Sequence, residues 1–203
     1  MCFRYCLAKL LLCALLLALA ACDDPAEQVH DGVPRQIDTA ATYVFVLPDG
    51  AEPDTARAEA LAGVGFEAVL ARRKPGKAFD FAAVDVKEDL RLMLARGVPL
   101  GNLAVLGAGA GGRLALAVAA IMKAPEMHVV VLNACAEGRI PDEPVLAEGV
   151  PLLRGHVLSL AAPGKSCQAV LDAAPGADSW EVELSGTGDS AWLAETRRWI
   201  VGD

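Results

Sequence analysis

Histidine is scarce in this 203-residue sequence, which contains only His30, His128 and His156. His30 lies in a polar stretch near the N-terminus, and the other two lie at the beginnings of apolar segments. Enzymes that activate a serine or cysteine nucleophile depend on a nearby base, usually an imidazole. With so few candidates, imidazole-based catalysis has little support. No histidine lies near either of the two cysteines of the body in sequence, so no zinc site is predicted.

Positive charge is also in short supply. The chain has 18 Lys and Arg residues against 26 Asp and Glu residues, a formal net charge of −8. An acidic surface is a poor partner for nucleic acid or for anionic lipid headgroups. We therefore expect no nucleic-acid partner, and the sequence indicates no cofactor.

The N-terminus has the layout of an export signal. Arg4 and Lys9 precede an apolar run over residues 10–21, and the acidic, proline-containing segment Asp23-Asp24-Pro25 follows. This run is shorter than the roughly 20 residues that a membrane-spanning helix needs. Residues 1–21 are therefore predicted to be a cleaved secretory signal peptide.

The end of this run resembles the lipobox of bacterial lipoproteins, since it reads Leu19-Ala20-Ala21-Cys22. The resemblance implies that the Cys22 thiol carries diacylglycerol and that acyl chains such as palmitate anchor the protein to a membrane. Asp23 resembles a signal for retention in the inner membrane, which favours its periplasmic side. Residues 22–40 are polar, with Pro25, Gly32 and Pro34 among them, and are predicted to be a lipidated tether. Residues 41–203 are predicted to form one domain.

The remaining body of the chain contains only two cysteines, Cys135 and Cys167. Each follows one of two consecutive predicted strands, residues 128–132 and residues 156–160. Neighbouring parallel strands lie about 4.8 Å apart, within the range that a disulfide can bridge. Because export also provides an oxidising compartment, we predict a disulfide between these two residues.

The body alternates short apolar segments with segments of helical pattern. The predicted strands are residues 42–47, 66–71, 103–106, 128–132, 156–160 and 180–184. The predicted helices are residues 54–64, 80 or 85–96, 112–123 and 190–200. This alternation predicts an α/β fold with a doubly wound, mainly parallel sheet between two helical layers.

The most informative segment is a glycine-rich turn between a predicted strand and helix, Leu106-Gly107-Ala108-Gly109-Ala110-Gly111-Gly112. It resembles the nucleophile elbow of the α/β-hydrolase family, Gly-x-Ser-x-Gly, in which the strained apex residue is the nucleophile. Gly109 stands at the place of the serine. The resemblance extends in strand order from residue 42 to residue 200, and it implies the α/β-hydrolase fold.

The resemblance also assigns the surrounding cleft. Its candidate residues are Asp49 and Gly50 in the loop after the first long strand, Gly107, Gly109 and Ala110 at the elbow, and Asp189 where the family places its histidine. The loop that carries the family's catalytic acid corresponds to residues 161–167, which contain no carboxylate. All three positions of the catalytic triad are therefore predicted to be empty.

Two functions remain open from this resemblance. The first is a non-catalytic, membrane-anchored domain that binds a small molecule or a protein partner, with no catalytic residue. The second is an esterase-like hydrolase with displaced catalytic groups, for which the candidates are Asp49, Ser166, Asp189 and Ser190.

The same turn also fits the dinucleotide-binding pattern Gly-x-Gly-x-x-Gly through Gly107, Gly109 and Gly112. That fold uses an acidic residue at the end of the next strand to hold the ribose. Here the next strand ends in Leu132-Asn133-Ala134, and two strand-helix units precede the glycine turn. Dinucleotide binding is therefore the less favoured alternative.

Overall fold

The computed structural model describes residues 25–72, 78–135, 143–184 and 189–202. The predicted signal peptide and the predicted lipidation site, Cys22, lie outside the described residues. Within those residues the chain forms seven strands: β1 (Val29–Asp31), β2 (Tyr43–Leu47), β3 (Glu67–Leu70), β4 (Leu103–Ala108), β5 (His128–Leu132), β6 (Gly155–Ala161) and β7 (Ala177–Glu183). The α-helices are α1 (Thr55–Ala62), α2 (Phe79–Ala95), α3 (Gly109–Met122), α4 (Pro144–Gly149), α5 (Gln168–Asp172) and α6 (Asp189–Val201).

The seven strands form one sheet in the order β1-β3-β2-β4-β5-β6-β7, and every pairing is parallel. The central strands are buried on both faces: all five residues of β2 and all six of β4 are inaccessible to solvent or nearly so. Near-continuous apolar strands are typical of a sheet covered on both sides. The prediction of a doubly wound parallel α/β fold is confirmed.

Successive residues of each strand point to opposite faces, so the sheet separates two apolar cores. Phe45 and Leu47 pack on one face with helices α2, α3 and α4, and Val44 and Val46 pack on the other face with α1 and α6. The result is a three-layer sandwich. None of the helices in the described part of the chain is long and apolar enough to cross a membrane.

The segment predicted as a tether is partly folded, which corrects the predicted domain boundary. Strand β1 forms an edge of the sheet by pairing with β3, and the His30 ring lies 2.6 Å from the Glu67 carboxylate. Val33 and Ile37 pack against the core. A three-residue strand is too short to show an apolar period in the sequence, and its edge position gives it only one neighbour. The folded domain therefore includes residues well before residue 41.

Most predicted elements lie within three residues of the observed ones. Helix α1 begins after Asp54, whose carboxylate accepts a hydrogen bond from the Arg57 amide at 3.3 Å, as an N-cap does. Helix α3 begins at Gly109, three residues before the predicted start. The short helices α4 and α5 were not predicted, since five or six residues show too little of the helical period.

The structure joins Cys135 and Cys167 in a disulfide, with their α-carbons 5.0 Å apart. Strands β5 and β6 are adjacent, with Leu132 opposite Leu160, so the two loops leave the sheet at the same edge. This agrees with the reasoning from strand spacing. The bridge closes a 32-residue separation at the carboxyl edge of the sheet, next to the glycine turn.

Candidate functional site

The turn from β4 into α3 is a tight elbow whose apex is Gly109. Gly109 has a φ of +50°, the left-handed region that residues with a Cβ rarely adopt. Gly107, two residues earlier, permits the close approach of strand and helix. A Cβ at Gly107 would lie 2.7 Å from the Gly112 nitrogen and closer still to the Gly111 carbonyl. The backbone thus forms a nucleophile-elbow geometry around an apex that carries no side chain.

Asp49 fills the space in front of this apex. It is an exposed residue of the loop Pro48-Asp49-Gly50 that follows β2, and its Oδ1 accepts a hydrogen bond from the Ala110 backbone N–H at 2.6 Å. The first N–H groups of a helix lack partners within the helix, and the helix dipole favours negative charge there. Asp49 therefore caps helix α3 from a loop 61 residues away in sequence.

The positions of Asp49 and Gly109 depend on each other. A Cβ built at Gly109 would lie 2.8 Å from Asp49 Cγ and closer to Oδ1, which is shorter than any ordinary contact. A serine at the apex would therefore displace the Asp49 carboxylate or be displaced by it. Gly109 stands where this fold usually carries a nucleophile, and the Asp49 carboxylate occupies the space that a side chain there would need.

The Ala110 amide is the group that such a fold would use for oxyanion stabilisation. In α/β-hydrolases the oxyanion hole includes the backbone N–H of the residue after the nucleophile and a second N–H from the loop after the neighbouring strand. Here that first N–H already donates to Asp49. The position for a developing negative charge is thus occupied by a carboxylate from within the chain.

The three histidines lie away from the elbow. His128 and His156 are the first and second residues of β5 and β6, whereas the elbow follows the carboxyl end of β4. In a parallel sheet these are opposite ends. His30 lies in edge strand β1 and pairs with Glu67. These three are all the histidines of the chain.

The loop at the position of the catalytic acid is held by a carboxylate that the sequence did not single out. Glu181, in β7, accepts hydrogen bonds from the Ser159 hydroxyl at 2.7 Å and from the Cys167 backbone N–H at 2.7 Å. It also accepts one from the Ser166 hydroxyl. Ser166, a candidate for a displaced nucleophile, is thus bonded to an acid rather than to an imidazole.

Two further groups near the carboxyl edge are also satisfied within the fold. Asn133 has a φ of +50°, and its side-chain oxygen accepts a hydrogen bond from the Ala162 N–H at 2.7 Å. Arg113, near the start of α3, donates to Glu143 at 2.6 Å. Neither was predicted, because each contact joins residues that are 29 or 30 positions apart in the chain. The positive charge closest in sequence to the elbow is therefore neutralised.

Of the remaining predicted cleft residues, the structure describes Gly50 fully and only the backbone of Asp189. Gly50 is exposed beside Asp49 in the loop after β2. Asp189 begins helix α6, but its side chain, that of Ser190 and residues 185–188 lie outside the described part of the chain. The structure therefore brings together Asp49, Gly50, Gly107, Gly109 and Ala110. Among described side chains there is no group of three metal-ligating residues.

Comparisons of the whole fold identify related architectures. No protein-family model and no curated protein sequence matches this chain. Among solved structures, one chain described under the metagenome-derived lipolytic enzymes LipS and LipT superposes with a TM-score of 0.62 at 15% identity, over 86% of this chain and 100% of the other. A dienelactone hydrolase from Anabaena variabilis gives 0.60 at 14% identity, over 84% and 88%. An esterase/lipase from an uncultured bacterium gives 0.56 at 15% identity, over 80% and 78%.

These likenesses show the fold. The chain has an α/β-hydrolase-like, three-layer architecture, and its solved structural neighbours are hydrolases. At identities of 14% to 15% they carry no information about this chain's own substrate or activity. Function depends on the residues of the site and not on the fold alone.

Proposed function

We propose that this chain is a membrane-anchored lipoprotein whose α/β-hydrolase-like domain binds a ligand or a partner without hydrolysing it at the elbow. The observation that carries the proposal is the contact between the Asp49 carboxylate and the Ala110 amide, made in front of the side-chain-free apex Gly109. Three requirements of serine-hydrolase chemistry are then unmet at the elbow. The apex has no nucleophilic side chain, no histidine lies beside it to act as a base, and the Ala110 N–H of the oxyanion hole is bonded to Asp49.

The energetic consequence is large. Removing one oxyanion-hole donor costs an enzyme about 10²–10³ in rate. Asp49 does more than occupy the donor, because its own charge would repel an oxyanion forming nearby. Two unit charges about 4 Å apart interact with about 4 kcal/mol at an effective dielectric constant of about 20. Because Asp49 is exposed, water screens part of this repulsion. At about 1.4 kcal/mol per factor of ten in rate, it slows such a step by between about fivefold, at the roughly 1 kcal/mol expected in water, and about a thousandfold.

The same carboxylate argues against dinucleotide binding. That function places a pyrophosphate at the N–H groups that open the helix after the glycine turn. Here an internal anion, Asp49, already caps the Ala110 N–H. A second anion would have to displace it and overcome the repulsion between the two charges.

A lipid at Cys22 is the proposed anchor, supported by the lipobox-like Leu19-Ala20-Ala21-Cys22 after a charged start and an apolar run. Two or more acyl chains hold a protein durably, whereas one chain gives only marginal binding. The proposed location is the cell envelope, on the periplasmic side of the inner membrane. Labelled palmitate should enter the wild-type protein and not Cys22→Ala. Equal labelling of the two would contradict the anchor without affecting the assignment of the elbow.

The second candidate function is a hydrolase with displaced catalytic groups. It is favoured by the comparisons, since the solved neighbours are lipolytic enzymes, an esterase/lipase and a dienelactone hydrolase. Its best-described nucleophile candidate is Ser166, which is fixed beside Glu181. A carboxylate is a weak base for a serine hydroxyl, and no imidazole of the chain lies at that edge of the sheet.

Labelling with a fluorophosphonate separates these functions. The purified full-length protein should not react, because no serine stands at the elbow and no described serine contacts a histidine. Peptide mapping identifies the site if a label appears. A label on Ser166 or Ser190 that is lost in the corresponding alanine variant would establish the hydrolase and refute the binding-only proposal. The variant Ser179→Ala, at a half-buried position of β7, is the matched control.

A further inference from the structure

A cavity lies at the opposite end of the sheet from the glycine elbow. It opens between the starts of β5, β6 and β7 and the carboxyl half of helix α6, and its volume is 570 Å³. Small-molecule sites typically have volumes of about 300–1,000 Å³ and mostly apolar walls with a few polar groups. This cavity has that size and that kind of lining.

The parallel register explains which side chains meet there. His128, His156 and Asp178 are direct partners across β5, β6 and β7, so they form one row on a single face. Leu158 and Trp180 belong to the next row on that face. Helix α6 lies across these rows and contributes Trp199, Glu195 and Arg198.

Aromatic rings form much of the wall. The His128 and His156 rings stack with their centroids 5.2 Å apart, and Trp199 meets His156 edge-on at 6.5 Å. The Trp199 indole N–H donates to the His156 carbonyl at 3.3 Å, which fixes its orientation. Trp180 is 62% exposed, although only 5% of the residues in this chain are aromatic. A large exposed indole beside other rings offers an apolar, π-rich surface for a flat group.

The charges in the cavity are unbalanced. The Arg198 guanidinium is paired with Glu195 at 2.8 Å, so these two residues neutralise each other. The Asp178 side chain is 72% exposed, and its carboxylate touches only the His156 ring, at 3.0 Å, among the described side chains. Burial, and secondarily the nearby His156, lowers the pKa of His128 to about 4, so its ring is uncharged near pH 7. Apart from its histidines, the lining carries two acidic residues, Asp178 and Glu195, and one basic residue, Arg198, which gives a formal charge of −1.

From the aromatic walls and the carboxylate of Asp178, we infer that this cavity binds a small molecule in which a planar apolar group carries a cationic nitrogen. The flat group lies against Trp180 and Trp199, and the cation lies near Asp178. Cations are attracted both to carboxylates and to the faces of indole rings, most strongly where water is partly excluded. The overall charge of −8 also favours a cationic ligand over an anionic one. This inference does not depend on the absence of catalysis at the elbow.

A matched series of probes tests the inference: 2-phenylethylamine, 2-phenylethanol and phenylacetate share a ring and differ in charge. The full-length protein is labelled with 5-fluorotryptophan, which gives one ¹⁹F resonance for each of its three tryptophans. Single Trp→Phe variants assign the resonances. The amine should shift those of Trp180 and Trp199 saturably and leave that of the buried Trp192 unchanged. The alcohol should bind at least about fivefold more weakly than the amine, and phenylacetate should bind most weakly of the three.

Asp178→Asn tests the charge directly, and its exposed position makes a folding defect unexpected. It should weaken binding of the amine about fivefold and change binding of the alcohol by less than about twofold. Glu52→Gln, an exposed acid in the loop before α1, is the control and should change neither. The inference is overturned if the amine causes no shift, if all three probes bind equally, if Trp192 shifts as much as Trp180, or if Asp178→Asn leaves amine binding intact.

Discussion

The Asp49 carboxylate accepts the Ala110 backbone N–H at 2.6 Å, in the space that a side chain on Gly109 would occupy. This contact joins the loop after β2 to the start of α3 at the centre of the sheet. It satisfies a helix amide that otherwise has no intrahelical partner. The elbow is therefore a closed structural junction that the Asp49 carboxylate helps to hold together.

Asp49→Ala should destabilise the protein, because it removes this long-range cap. Loss of a helix cap costs about 0.5–2 kcal/mol, and the favourable interaction with the helix dipole is lost with it. Asp49→Asn should lose less, since the amide oxygen can still accept the hydrogen bond. The free energy of unfolding in urea measures both, with the exposed Glu52→Gln as control. Equal stability of Asp49→Ala and wild type would show that the contact is not formed in solution.

Gly109→Ser should destabilise the wild type by about 2 kcal/mol, because the left-handed backbone disfavours a Cβ and the Asp49 carboxylate occupies its space. In the Asp49→Ala background the same substitution should cost about 1 kcal/mol less, since the steric conflict is gone. A double-mutant cycle from urea unfolding gives this coupling energy. Strictly additive effects would mean that Asp49 and Gly109 do not compete for the same space.

The fold was largely predictable from the sequence, and the site only in part. The apolar runs of β2, β4, β5 and β6 are buried on both faces, so they are visible without knowing their neighbours. Strand β1 is only three residues long, and it can be recognised as a strand only from its pairing with β3. Similarly, the roles of Asp49 and Glu181 arise from contacts across 61 and 22 residues of chain, which periodicity does not encode.

The disulfide should contribute substantially to stability. On the chain-entropy model a bridge spanning 32 residues stabilises by about 3–4 kcal/mol. Cys135→Ser with Cys167→Ser should lower the free energy of unfolding by about that amount. The reductant dithiothreitol should have a comparable effect on the wild type and none on the double variant. Mass spectrometry of unreduced peptides from envelope-derived protein checks the bridge itself, and two free thiols would refute it.

Stability should fall in mild acid because of His128. Burial lowers its folded-state pKa to about 4, below the ordinary value of 6.5, so the unfolded chain binds a proton more readily between these values. The contribution of the neutral ring is complete above pH 6.5 and is lost as the pH falls towards 4. One pKa unit corresponds to about 1.4 kcal/mol, and the partial exposure of this ring reduces the total to about 1–2 kcal/mol.

His128→Phe tests this origin, since it keeps an aromatic ring and removes the titration. Urea unfolding at several pH values between 4 and 7 should show a shallower loss of stability in the variant than in the wild type. The His128 Nδ1 atom has no hydrogen-bond partner among the described residues, so the substitution breaks no bond that the structure shows. Parallel pH profiles for the two proteins would assign the acid sensitivity to other groups.

The most direct test of the central claim is the rate of p-nitrophenyl acetate hydrolysis by the purified full-length protein. We expect the wild type to hydrolyse the ester at the same rate as an equal concentration of the Ser166→Ala variant in the same buffer. The rate should not saturate as the ester concentration rises. Its physical basis is an elbow that offers no nucleophile and no free Ala110 amide. Saturable turnover that survives repeated purification and is lost in Ser166→Ala would contradict the account.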